Sequence, residues 1–351
     1  MEKYQINFTA GLAGFLFENN SSILLTTYQA GVLMAIGSSD GAKLHQIPFR
    51  FKKPMGIALQ DNKLAIATLD EIQLLSNAGS IEKDKKNNST KFDTFFVHRA
   101  TYNTCSLDVH DLDFGKGSIW GINTSFSCLC KFDINYSFVP KWKPKFISDL
   151  VPEDKCHLNG MAMQGDTPKF VTALSQTDQK EGWRKDLMNT GVLMEVPSGD
   201  ILLDGLAMPH SPTIIGEKVY FLESGKGCIS SYDIATGTKK EVYLFSRFVR
   251  GMSQLGDHLI IGVSKIRESS KTFKSLRVSE TSTDAGIIVF NFVTNQIDYE
   301  LEYETTIDEI YDVQVLNGFN RPAVLSQLEE RSKEVIISPQ NTFWKKAKEK
   351  E

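Results

Sequence analysis

Short strand patterns separated by turns recur along this chain at intervals of about 50 residues, and no other feature restricts the fold as much. The clearest unit spans residues 154–174. A loop carrying His157 and Asn159 leads into a short apolar strand, a turn at Gly165-Asp166 and a second strand. Alternation of period two, with β-branched and aromatic residues, predicts strands here rather than a helix. Units of the same plan start near residues 14, 55, 110, 159, 211, 250 and 311. In the first, strands are expected at 14–17, 22–27, 31–36 and 43–49; in the last, at 311–316, 322–326 and 335–338.

This spacing is that of four-stranded propeller blades. Counting gives six full units and a seventh short of one outer strand, which the isolated strand at 4–9 would supply. The chain is therefore predicted to be an all-β protein: a seven-bladed β-propeller closed by its N-terminal strand, with six blades as the alternative. Closure removes the open sheet edge that would otherwise invite aggregation. One domain is expected over residues 1–340, followed by a charged tail over 341–351 in which Lys345, Lys346, Lys348 and Lys350 alternate with Glu349 and Glu351. The polar run 82–88 reads as an exposed loop tip. The segments 177–188 and 267–284 read as insertions near the channel mouth, the first a mobile partial lid carrying Trp183 and Arg184.

With 351 residues, 41% hydrophobic, 23% charged and a net charge of −4, the chain has the composition of an ordinary soluble globular protein. That charge gives no basic footprint for nucleic acid. No apolar window is long enough to cross a membrane, and the N-terminus lacks a signal pattern, so no membrane partner is expected. Five cysteines without a Cys-x-x-Cys pair exclude a zinc ribbon and a disulfide framework. The cytoplasm is the expected compartment.

In a propeller the first strand of each blade lines the channel, so equivalent residues form a ring at one mouth. Aligning the units places Ala13, Met55, His110, Asn159, Ser211, Arg250 and Tyr311 at one level, with His157 and His210 within two residues of it. Three histidines from consecutive units thus converge. Neutral imidazoles beside an amide or carboxylate suit a divalent metal ion such as Zn, Mn or Fe, with Ca disfavoured, and the expected ligands are His110, His157, His210 and Asn159. Asp111, Arg250 and Tyr311 are the candidate catalytic residues. Loops and insertions at the same mouth add Tyr28, Gln29, Asn123, Trp183, Arg184, Ser211, Glu223 and Lys265 as candidate substrate contacts. No phosphate loop and no Gly-x-Ser-x-Gly elbow is present.

Several stretches resemble an uncharacterised family of bacterial conserved hypothetical proteins, a domain of unknown function. They are Ser125-Phe-Ser-Cys-Leu129, Ser137-Phe-Val-Pro-Lys-Trp-Lys-Pro144, the run from Glu153 to Ala162, Gly182-Trp-Arg184 and Met208-Pro-His-Ser-Pro212. This resemblance covers most of residues 20–325 and implies a site location without a chemistry. Asn159-Gly-Met-Ala162 is more loosely similar to a turn of gluconolactonase- and strictosidine-synthase-like propellers, which implies Asn159 as a metal ligand.

Two functions follow as expectations. One is a metal-assisted lyase, epimerase or hydrolase acting on an anionic or carbohydrate-like small molecule or glycan, with Arg250 on the substrate carboxylate and Tyr311 or a histidine moving the proton. The other is a non-catalytic propeller scaffold that binds a ligand or a protein partner.

Overall fold

The computed structural model describes residues 4–79, 92–266, 272–274 and 276–344. The chain opens with strand β1 (Ile6–Phe8) and helix α1 (Leu12–Glu18), followed by β2 (Ser21–Thr27), β3 (Val32–Gly37) and β4 (His45–Arg50). The next set is β5 (Ile57–Gln60), β6 (Lys63–Ala67), β7 (Glu71–Asn77) and β8 (Thr94–Asn103). Then come β9 (Val109–Gly115), β10 (Ser118–Asn123), β11 (Cys128–Asp133) and β12 (Tyr136–Trp142). A fourth set is β13 (Leu158–Gln164), β14 (Thr167–Ala173), β15 (Gly191–Glu195) and β16 (Ile201–Leu206). A fifth is β17 (Pro209–Ile215), β18 (Lys218–Glu223), β19 (Cys228–Asp233) and β20 (Lys239–Leu244). A sixth is β21 (Phe248–Leu255), β22 (His258–Ser264), β23 (Ala285–Asn291) and β24 (Gln296–Tyr303). The chain ends with β25 (Asp312–Asn317), β26 (Pro322–Leu325) and a hairpin of β27 (Val335–Ile337) and β28 (Thr342–Trp344).

Sheet order makes this a propeller of six blades, not seven. β25 pairs with β2, so the C-terminal strand is the inner strand of a blade whose other three strands, β2 to β4, come from the N-terminus. The first and seventh units of the sequence are thus two parts of one blade, here blade I; blades II to VI follow in chain order. The expected strand at 14–17 is helical instead. Leu12, Ala13 and Leu16 are buried at positions i, i+1 and i+4, a helical stripe, and Ala13 has no place in the channel. The N-terminal strand does not close the ring: β1 pairs with β24 as a fifth strand on the outer edge of blade VI. β26 runs parallel to β8 on the outer edge of blade II. Both chain ends therefore brace the neighbours of the closing blade.

The core is divided between the blades, with apolar clusters filling each interface. Near the axis the inner strands meet in two alternating ways. A Cβ on Gly56 or Gly251 would lie 2.9 Å from the Cα of Asp111 or Asp312 in the next blade, and one on Gly160 would lie 2.6 Å from Pro212 Cδ. Backbones touch at these three interfaces, which glycine alone permits. At the other three, a side chain bridges: Asp312 accepts from Ile57 N, Asp111 from Met161 N (both 2.8 Å) and Ser211 Oγ from Gly251 N (3.0 Å).

The polar run 82–88, residues 267–271 of the second insertion and the lysines from Lys345 onward lie outside the described residues. The expected tail begins with β28, which is paired rather than free. No helix among the described residues is long and apolar enough to cross a membrane. All five cysteines are unpaired, and four of them are buried.

Candidate functional site

Each blade contributes the residue that enters its inner strand to one level of the channel. The bridging contacts show which residues are equivalent. Ser211 bridges to the next blade as Asp111 and Asp312 do, so the residue preceding it, His210, takes the ring position expected for Ser211. The ring is Met55, His110, Asn159, His210, Arg250 and Tyr311.

His110 and His210 are held in the same way. Nδ1 of His110 lies 3.0 Å from the carbonyl of Asp108 and 2.9 Å from Thr124 Oγ1. Nδ1 of His210 lies 2.9 Å from the carbonyl of Met208 and from Ser224 Oγ. Each hydroxyl gives its single proton to a carbonyl of the following blade, Leu158 O or Val249 O, at 2.6 Å. Nδ1 must therefore be the donor in both rings, which leaves Nε2 as a lone-pair acceptor. Burial pushes His110 down to about 4 and His210 well below the ordinary imidazole value, and the Arg250 charge adds to both. Both rings are neutral at pH 7.

His157 stands just outside this ring and is held by a carboxylate. Asp154 accepts from His157 Nδ1 at 2.9 Å and from Trp183 Nε1 at 2.8 Å through the same oxygen. The imidazole lies against the Trp183 indole (centroids 4.3 Å) and edge-on to His110 (4.7 Å). Asp108, Asp154, His157 and Met208 all have left-handed backbones, with φ of 53°, 43°, 50° and 54°. Such conformations cost a non-glycine residue about 1–3 kcal/mol and persist where the surroundings impose them. Here they cluster at the mouth, on the residues that set the imidazoles.

Arg250 places its guanidinium 3.6 Å above the Tyr311 ring, and Tyr28 stacks against Tyr311 from another side at 6.0 Å. Among the described residues Arg250 has no carboxylate ion-pair partner. Two cavities meet at this side chain. An outer one of about 160 Å³ has His157, His210, Arg250, Gln29, Lys265 and the carboxylate of Glu309 in its lining. An inner one of about 240 Å³ continues down the channel past His110, Asn159, His210, Tyr311, Asp113 and Gln314. Burial raises the inner carboxyls, Asp113 to about 6 and Asp312 to about 7, and Asp111 well above the usual carboxylate range, with the Asp312 charge adding to the last.

The structure thus brings His110, His157, His210, Asn159, Arg250 and Tyr311 to one mouth, with Gln29 and Lys265 on the outer cavity and Tyr28 behind Tyr311. Asp111 and Ser211 line the inner cavity, but each spends an oxygen on a neighbouring strand's amide. Asn123 and Glu223 line neither cavity. Asn123 caps the turn at Phe126, and buried Glu223 is met by Lys226, Lys239, Ser230 and the Ala207 amide. Trp183 is not presented to solvent. It is 3% exposed and packs with Leu187, Met208, Phe248, Leu276 and Val278, joining the two insertions, while Arg184 stacks on its outer face. That packing suits a fixed roof over His157 rather than a mobile lid.

Asp154 sits three residues before His157, a spacing too common to mark it. The hydroxyl partners carry a clearer signal, because Thr124 and Ser224 each stand fourteen residues after their histidine. Among the described residues no group of three or more His, Cys, Asp and Glu side chains is placed to hold a metal ion.

A family model described as a domain of unknown function (DUF4915) matches residues 10–325. No curated protein matches the chain. Among solved structures, a chain of the nidogen/laminin complex aligns with a TM-score of 0.52 at 9% identity, covering 85% of this chain and 99% of that one. At that identity the likeness carries the propeller fold alone.

Proposed function

We propose that this chain, which belongs to the DUF4915 family of domains of unknown function, is an acid–base enzyme acting on a small anionic molecule at the propeller mouth. One observation carries the reading: a carboxylate-anchored imidazole, Asp154–His157, lines the same cavity as an arginine without an ion-pair partner among the described residues. Arg250 would pair with the substrate carboxylate, a charge-assisted contact that also fixes orientation. With Nδ1 committed to Asp154, His157 has Nε2 available to take a proton, and Asp154 would stabilise the imidazolium that forms. His110 and His210 stay neutral and offer acceptors to the ligand. Removal of a proton next to a carboxylate leads to elimination or epimerisation; activation of a water instead leads to hydrolysis.

The test is a binding screen of small carboxylic acids and uronates, followed by proton–deuterium exchange of the bound acid in D₂O read by NMR. Arg250→Gln should weaken binding about ten- to a hundred-fold. His157→Gln and Asp154→Asn should keep binding and slow exchange by about a hundred-fold or more. Acids that bind without exchange or turnover in the native protein would leave a ligand-binding propeller in place of an enzyme.

A divalent ion, Zn, Mn or Fe, at His110, His157 and His210 with Asn159 is the second reading, and it requires the three imidazoles to close together around the ion, since they are not so placed in this structure. It is favoured by the Nδ1-to-carbonyl anchoring of His110 and His210, the arrangement that metal-bound imidazoles use. Elemental analysis of untagged protein decides it: well under one equivalent of any such metal would sink it.

A further inference from the structure

The outer cavity combines its cations with an apolar side that the acid–base mechanism does not use. Phe248, 7% exposed, and the half-buried Ile266 and Phe273 line it together with Arg250 and Lys265. The Phe248 and Phe273 rings lie 5.7 Å apart between centroids, and both join the apolar cluster around Trp183. Leu174, Met208 and Ile310 also border the cavity, but at 1% exposure or less they only back this wall. Apolar surface that faces a cavity gains nothing from burial until an apolar group covers it. A hydroxyl set against it would instead lose its water without finding a partner.

Charge and size narrow the occupant further. Two cations, Arg250 and Lys265, share the lining with one carboxylate, Glu309, a balance that suits a single negative charge. The inner cavity carries three carboxyls, Asp111, Asp113 and Asp312, and so favours an acid whose body lies on the outer side of Arg250. The outer volume of about 160 Å³ is close to the roughly 150 Å³ of an apolar cavity that takes up benzene. One six-membered ring or a short branched chain fills it.

We infer that the outer cavity holds the apolar body of the ligand, which makes the substrate class a small monocarboxylic acid bearing an aromatic or branched aliphatic group. Its carboxylate lies on Arg250 and its body against Phe248, Ile266 and Phe273. The placing of the carboxylate rests on the anion-binding reading of Arg250; the apolar end does not. Ile266 and Phe273, which stand outside the blade strands, are the specificity-determining residues.

The probes are phenylacetate, acetate, glucuronate and benzyl alcohol, titrated by ligand-observed NMR. Phenylacetate should bind at least about thirty-fold more tightly than acetate, the worth of covering one aromatic ring. It should also exceed glucuronate, a ring of similar size that carries hydroxyls, by about ten-fold or more. Benzyl alcohol, which has the ring without the charge, should bind about ten- to a hundred-fold more weakly than phenylacetate and be indifferent to Arg250→Gln. Ile266→Ser and Phe273→Ser should each narrow the phenylacetate-to-acetate ratio about three- to ten-fold, with melting curves to check that both variants fold. Acetate or glucuronate binding as tightly as phenylacetate would overturn the apolar subsite and leave the anion-binding reading standing. Benzyl alcohol equal to phenylacetate, in the native protein and in Arg250→Gln alike, would uphold the subsite and remove the anion-binding reading. Binding of none of the four would overturn both.

Discussion

His110 is neutral because it is buried, and that neutrality makes stability depend on pH. Its folded value of about 4 lies below the 6.5 of a free imidazole. As pH falls, the unfolded chain therefore takes up this proton first. The stabilising contribution is fully present above pH 6.5 and is lost as pH drops toward 4, by about 3 kcal/mol for a shift of this size. His110→Asn, which keeps a donor for the Asp108 carbonyl, should be less stable than the native protein at pH 7.5 and close that gap by pH 4, as measured by denaturant unfolding. A gap that does not change with pH would mean that the ring ionises freely in the folded state. The histidines themselves are legible in the sequence because the repeat brings His110, His157 and His210 within two residues of one level. Their partners are less so. A Thr or Ser fourteen residues on is visible only once two blades are superposed, and the Asp154–His157 pairing depends on left-handed backbones that Asp and His tolerate but do not by themselves specify.

At the scale of elements, closure rests on β25. It pairs with β2 along Ser21↔Asn317 to Thr26↔Asp312 and packs against the inner strands of both neighbouring blades. β1 contributes a three-residue edge, Ile6 to Phe8, outside a blade that is already complete. Truncation after residue 310 should therefore abolish cooperative unfolding, because it bares the full length of β2. Deletion of residues 1–9 should keep a single transition and lower Tm by only a few degrees, roughly 1–2 kcal/mol in a chain of this size. Calorimetry distinguishes them; equal losses from the two truncations would contradict this division of labour. The sequence misleads here for a physical reason. Residues 12–18 and a strand both offer closely spaced apolar side chains, and over so few residues the period cannot separate them. With that stretch read as a strand, one blade counts as two.

For the whole molecule, the period of about 50 residues carries the architecture and the position of the mouth, but not the number of blades. Ring closure joins residues far apart in sequence, and no local pattern reports it. The alternation of three backbone contacts at Gly56, Gly160 and Gly251 with three side-chain bridges is equally hidden, since it appears only when strands from different blades face each other. Joining the two ends in one blade also has a consequence in time. Ser21 Oγ bonds Asn317 Oδ1 across 296 residues. A ribosome adding about 5–20 residues per second needs roughly 15–60 s to cover that distance. Throughout that interval the nascent chain holds the β2 edge of blade I open, though blades II to V can already form. Stalled chains ending before residue 310 should accordingly be cut near residues 21–50 by a brief protease pulse, and chains long enough to expose residue 317 outside the ribosome should resist it. The clasp that makes the finished ring durable is what makes its synthesis vulnerable, and the last strands to emerge decide whether the first ones ever fold.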